Sequence, residues 1–252
     1  MAGERTVTLR IKRQESAAAK PYWEEFRLPY RAYMNIIICL KEIQHNPRTS
    51  DGKETTPVAW DCNCLEEVCG ACTMIINGKV RQACSALIDG LGDRITLEPM
   101  TKFPLVRDLM VDRARLFESL KRVRAWIPFD GKSAEGPGPK ISPEQQQIDY
   151  VLSTCFSCGC CLEACPQVNG RSDFMGAMPI NQARLFNDHP LGKSNARKRS
   201  RALLAPGGLE DCGNAQNCAK VCPKSIPLVD SISKMNWQIT RDLFGILKEG
   251  RS

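Results

Sequence analysis

Residues 155–166 read CFSCGCCLEACP, and the spacing Cys155-x2-Cys158-x2-Cys161-x3-Cys165-Pro166 is that of a bacterial two-cluster ferredoxin run. In such a run the first three thiolates hold one cubane and the fourth reaches across to the other. A second run must therefore follow. Residues 212–224 read CGNAQNCAKVCPK, which puts Cys212, Cys218 and Cys222-Pro223 in the same register and leaves Ala215 where a thiolate belongs. The crossed-ligand rule then gives Cys222 to the cluster of Cys155, Cys158 and Cys161, and gives Cys165 to the cluster of Cys212 and Cys218. One set has four ligands and the other three. A cubane short of one thiolate can lose the iron at that corner, so the expectation is one 4Fe-4S and one 3Fe-4S centre. The competing reading keeps the fourth iron and leaves it open to substrate.

Zinc does not fit these runs. Seven in-register thiolates cannot close two tetrahedral sites, and neither His45 nor His189 lies at ligand spacing. The same two histidines argue against a Rieske centre, and both are expected to be surface or capping residues. Cys160 adjoins a ligand but is out of register, and reads as a buried free thiol.

Working outward, Cys64, Cys69 and Cys72 are spaced C-x4-C-x2-C, and Cys84 follows after eleven intervening residues. That is the plant-type 2Fe-2S order. A loop must wrap the cluster so that two thiolates hold each iron, while a hairpin through Asn77-Gly78 returns the fourth ligand. Gly70 is expected to let the backbone approach the inorganic sulfides and offer N–H groups to them. Four thiolates also suit structural zinc, and the plant-type spacing is what favours the cluster. Cys62 reads as a spare thiol beside the loop and Cys39 as a small core residue.

Fourteen cysteines in 252 residues would suggest disulfides in a secreted chain, but the start MAGERTVTLRIKRQ has neither an apolar signal core nor an amphipathic presequence, and is read as a mature cytoplasmic N-terminus. Metal ligation becomes the leading explanation. With 42% hydrophobic and 25% charged residues the chain is expected to fold around real cores, and no apolar run is long enough to cross a bilayer. Val7, Leu9 and Ile11 alternate with polar residues, and Trp23, Phe26 and Leu28 follow, which predicts two early strands. Residues 36–43 look helical, ending before Asn46-Pro47. Residues 73–76 and 79–83 flank the Asn-Gly turn. Leu109, Leu116, Leu120 and Val123 fall at helical spacing, so a helical second half is expected beyond Pro104, with residues 131–143, GPGP at their centre, as an irregular connection. The fold class expected is α+β, with one domain over residues 1–105 and a second over 106–252. The net charge of +7 and the basic run from Lys193 to Arg201 would serve nucleic acid, anionic lipid or an acidic subunit, but the cysteine registers argue against a nucleic-acid binder. For the basic run a solvated loop is favoured over contact with lipid headgroups.

The order CLEEVCGAC at 64–72 with Cys84, then CFSCGCCLEACP, then CGNAQNCAKVCPK, resembles the iron-sulfur subunit of succinate dehydrogenase and fumarate reductase, over almost the whole chain. The resemblance implies an N-terminal β-grasp plant-type ferredoxin domain and an all-α two-cluster domain. It implies electrons passing from FAD in a separate flavoprotein subunit through 2Fe-2S, 4Fe-4S and 3Fe-4S clusters to quinone, beside a membrane-anchor cytochrome b, peripherally on the cytoplasmic side of a bacterial membrane. The chain itself offers no acid-base or nucleotide site, so its catalytic residues are expected to be none. The alternatives are the reverse direction, as a quinol:fumarate reductase, or a soluble multi-cluster ferredoxin, which would not need the plant-type domain. In many ubiquinone-reducing relatives a Trp follows the first Cys-Pro and a His follows the first three-iron ligand of the second run. Here Gly170 and Gly213 stand at about those places, so menaquinone is the expected quinone.

Overall fold

The computed structural model describes residues 5–128 and 139–249, with side chains through Asp242. Most of the connection expected over 131–143 lies outside the described residues. In chain order the elements are β1 (Thr6–Arg13), β2 (Tyr22–Pro29), α1 (Ile36–His45), β3 (Thr73–Ile76), β4 (Lys79–Gln82), β5 (Arg94–Glu98), β6 (Leu105–Arg107) and β7 (Met110–Val111). They continue as α2 (Ala114–Arg122), α3 (Pro143–Ser153), α4 (Cys160–Glu163), α5 (Ala177–Asp188), α6 (Ala196–Leu204), α7 (Asn217–Lys220) and α8 (Leu228–Glu249). Two compact units result: Met1–Arg113 with Phe156–Glu163, and Ala114–Cys155 with Ala164–Ser252.

The alternation in β1 sends Val7, Leu9 and Ile11 to one face, where all three are fully buried. The sheet order is β2-β1-β5-β3-β4, with β1 antiparallel to β2 and parallel to β5. Helix α1 closes this face with Ile36, Ile37, Cys39, Leu40 and Ile43, capped by Asn35, whose side chain accepts from the Ile38 N–H at 2.9 Å. The turn joining β3 to β4 has φ +48° at Asn77 and +73° at Gly78, the two left-handed positions of a type I′ hairpin. Ala83 lies just past β4.

The helical spacing from Leu109 to Val123 is only partly realised. Residues 105–111 form the small β6–β7 hairpin, Leu109 is buried in the sheet's core, and α2 begins at Ala114. The cause is long-range. Asp108, in the left-handed region at φ +47°, accepts hydrogen bonds from Arg13 Nε at 3.0 Å, the Gln14 N–H at 3.0 Å and the Ala59 N–H at 2.8 Å. Burial works against the Arg13 charge, but the Asp108 and Glu24 carboxylates outweigh it and raise its pKa.

In the second unit α5 is the central helix, packed against α3 and α8 and buried around most of its circumference. Its buried Asn181 donates to the Leu152 carbonyl at 3.2 Å and accepts from Ser231 Oγ at 3.0 Å, which ties three helices together. Arg199 is fully buried with neutral acceptors: the carbonyls of Arg124, Trp126 and Gly192 and the Asn187 side chain. Burial and the neighbouring Arg124 lower its pKa to about 10. Among the described residues no helix is long and apolar enough to cross a membrane.

Candidate metal centres

The loop from Cys64 to Cys72 leaves β geometry because its backbone repeatedly turns left-handed, at Leu65 (φ +63°), Glu67 (+55°) and Gly70 (+70°). Such alternation points successive N–H groups inward and makes an anion-binding concavity. The amides of Glu66 and Val68 both lie 3.4 Å from Cys64 Sγ, and those of Cys64 and Ala71 lie 3.5 and 3.4 Å from Cys69 Sγ. The Glu66 and Val68 amides favour the thiolate at Cys64 and bring its pKa down to about 7. Cys72 and Cys84 are buried, and burial pushes the Cys72 thiol up to about 12. The β3–β4 hairpin brings this pair together, with the Ala83 N–H donating to the Cys72 carbonyl at 3.1 Å. Asn35 donates from Nδ2 to the Cys84 carbonyl at 2.9 Å, so the cap of α1 also holds the fourth thiol's backbone. Sequence patterning marked the start of α1 but not this second bond.

The segment Phe156–Glu163 belongs to the first unit. Ser157 and Gly159 are left-handed, at φ +52° and +89°. Cys160 is buried and accepts from Gln82 Nε2 at 3.3 Å, while Glu163 accepts from the N–H groups of Thr101 and Lys102, both at 3.0 Å. A hydrogen bond with the Cys160 thiol, then burial, pushes the Cys158 thiol far up.

Cys155, Cys165, Cys212, Cys218 and Cys222 belong to the second unit. There a small cavity of about 20 Å³ is lined by Cys165, Cys212, Cys218 and Ala215, with Phe174 and Val229 among its apolar walls. Asn214 (φ +51°) and Gln216 (+59°) are left-handed on either side of Ala215, and Asn217 Nδ2 donates to the Ala164 carbonyl at 3.0 Å, tying this loop to the end of the first run. Burial raises the Cys218 thiol, and the nearness of Cys165 and Cys212 adds to it. His189 caps a short turn, accepting from the Leu191 N–H at 3.3 Å.

Cys39 is in the sheet's core and Cys62 packs half-buried against it. No cysteine among the described residues forms a disulfide. Among those residues no three His, Cys, Asp or Glu side chains are gathered tightly enough to hold a single metal ion, so loop conformation and cavity lining are what bear on the ligand sets. Soft thiols, inward-turned amides and an apolar wall fit iron-sulfur clusters, which ask for thiolate ligands and N–H donors to sulfur.

The comparisons agree on both units. The 2Fe-2S iron-sulfur cluster binding domain matches residues 8–118, and the 4Fe-4S dicluster domain matches residues 151–226. The chain is 54% identical over 249 residues to the succinate dehydrogenase iron-sulfur subunit of Bacillus subtilis (strain 168), covering 97% of this chain and 98% of the relative. It is 32% identical over 237 residues to the fumarate reductase iron-sulfur subunit of Wolinella succinogenes, covering 91% and 95%. Among solved structures it is similar to a chain of the Mycobacterium smegmatis Sdh1 complex in the apo form, with a TM-score of 0.76 over 96% of this chain and 98% of that one; at 21% identity this bears on the fold.

Proposed function

Because the chain belongs to the family of succinate dehydrogenase and fumarate reductase iron-sulfur subunits, we propose that it is the electron-transfer subunit of a succinate dehydrogenase, working between a FAD-bearing flavoprotein and a membrane anchor. When bound, its clusters supply one-electron steps between a two-electron flavin and quinone. The protein's part is to hold them, orient them and keep water away.

On this reading Cys64, Cys69, Cys72 and Cys84 hold the 2Fe-2S cluster, Cys155, Cys158, Cys161 and Cys222 the 4Fe-4S cluster, and Cys165, Cys212 and Cys218 the 3Fe-4S cluster. The observation that carries the three-iron assignment is that Ala215 lines the same cavity as the three thiols, presenting a methyl group where the register asks for sulfur. Alanine at that position offers no thiolate to a fourth iron, which fits a three-iron centre. Gly213 also packs tightly: a Cβ on it would lie 2.3 Å from Gln167 Nε2, so the place of the histidine found in many ubiquinone-reducing relatives has no room for a side chain without moving Gln167. That supports menaquinone as the quinone; the cytoplasmic face of the membrane rests on the family resemblance alone.

The test is purification with the natural partners, followed by succinate and fumarate turnover with menaquinone and ubiquinone analogues. Succinate-dependent menaquinone reduction by the complex, and none by this chain alone, is expected. Succinate-dependent dye reduction by the isolated chain would overturn the assignment.

A further inference from the structure

Gly70 has two reasons to be glycine, and only one concerns its own loop. Its φ of +70° disfavours a side chain, but Gly78 shares that conformation at +73° with nothing within 4 Å of where a Cβ would stand. At Gly70 a Cβ would lie 2.6 Å from Cys158 Cα and 3.0 Å from Cys158 Cβ. The first of these is main chain, which cannot swing aside as a flexible side-chain tip can. Both residues belong to the first unit, so the loop carrying Cys69 and Cys72 rests directly on the loop carrying Cys158.

Three further contacts fix that approach. Arg113 Nη1 donates to the Gly70 carbonyl at 2.6 Å. Gln82, fully buried two residues before Cys84, donates from Nε2 both to Thr73 Oγ1 at 3.2 Å and to Cys160 Sγ at 3.3 Å. On the other side, a Cβ on Gly159 would sit 3.1 Å from Phe103 Cζ, so the 157–160 segment is seated closely as well.

We propose that Gly70 is a positioning residue for electron transfer between the 2Fe-2S and 4Fe-4S centres, its missing side chain setting how closely the two ligand loops approach. This rests on the ligand assignment above. The step is a single electron leaving one centre as the other gains it, with no bond made or broken and no proton moved. Electron-tunnelling rates fall exponentially with separation, so a methyl group wedged against the main chain of Cys158, pushing the loops apart until ordinary contact at 3.4 Å or more is restored, acts on the rate while every thiol is retained.

The test compares Gly70→Ala with Gly78→Ala in the holo complex, the second carrying the same left-handed cost without the collision. Low-temperature EPR of the dithionite-reduced complex reads the spin–spin broadening between the reduced 2Fe-2S and 4Fe-4S signals, which falls steeply with distance. Rapid-freeze sampling reads the rate at which electrons from succinate, having reduced the 2Fe-2S centre, cross the 4Fe-4S centre in a second reduction, that of the three-iron centre. Gly78→Ala is expected to match the unmodified complex in both. Gly70→Ala is expected to keep both clusters yet show reduced broadening and a several-fold slower second reduction. Unchanged broadening and rate in Gly70→Ala, with both clusters present, would overturn the proposal. If Gly70→Ala fails to assemble its clusters, Arg113→Gln decides: it loosens the grip on the Gly70 carbonyl without a clash, and must weaken the broadening, or the proposal is wrong. An unmodified complex without two reducible clusters would instead defeat the ligand assignment, and this inference with it.

Discussion

The loop at 64–72 and the loop at 212–222 are both bent by left-handed residues flanking their thiols, Leu65 and Glu67 in the first, Asn214 and Gln216 in the second. They differ in what lies between. In the first, amides converge on the sulfurs of Cys64 and Cys69, and a hairpin delivers Cys84 as the last of four thiols. In the second, Ala215 stands between the two left-handed residues and faces the cavity with only a methyl group. The bent backbone is therefore present at 214–216 although no thiol stands there. Loop shape and ligand count are separable, and it is the ligand count that distinguishes the proposed three-iron centre.

The largest effect is expected where a thiol of the first loop is removed. Cys64→Ser should abolish the 2Fe-2S signal in visible circular dichroism and EPR, while Cys62→Ser, a half-buried thiol packed on the core, should leave it intact. The reverse result would mean that the ligand loop begins two residues earlier. Next comes the scaffold behind that loop. Asp108→Asn keeps the shape and tolerates φ +47°, but it strips the carboxylate from a buried Arg13, and breaking a buried pair in this way costs about 3 kcal/mol or more. Denaturant unfolding of the apo chain should show that loss in the first unit's transition. The smallest effect is at Asn35. Asn35→Ala removes an N-cap, worth about 1 kcal/mol, together with the bond to the Cys84 carbonyl. Faster loss of the 2Fe-2S chromophore to a chelator, beyond what the stability change explains, would show that the second bond matters to the site.

What could be read from the sequence followed the range of the interactions involved. Strand alternation in β1, the helix expected at 36–43 and the Asn-Gly turn are local signals, and each element starts where its pattern placed it, the helix running on to His45. Leu109 was misread as helical because Asp108 is held by Arg13, Gln14 and Ala59, partners far off in the chain that no periodicity reveals. The spacing within each cysteine run is local and so visible in the sequence. Gly70 was legible only as a turn, since its packing partner, Cys158, is brought to it by the fold. Gln82, at the end of β4, gave no signal at all; its role as donor to Cys160 depends on Phe156–Glu163 joining the first unit.

The most direct test of the account is to supply the missing sulfur. Ala215→Cys completes the Cys-x2-Cys-x2-Cys-x3-Cys-Pro register from Cys212 to Cys222, in a loop whose left-handed flanks are already in place and whose cavity that residue lines. EPR of the air-oxidised complex is the measurement, because an oxidised 3Fe-4S centre is paramagnetic and an oxidised low-potential 4Fe-4S centre is not. The account predicts that the three-iron signal is lost or much reduced in Ala215→Cys, with iron content rising and the signal of the reduced 2Fe-2S centre unchanged. A three-iron signal at full intensity in a folded, cluster-loaded Ala215→Cys complex would contradict it, and would mean that the vacant corner is not at position 215.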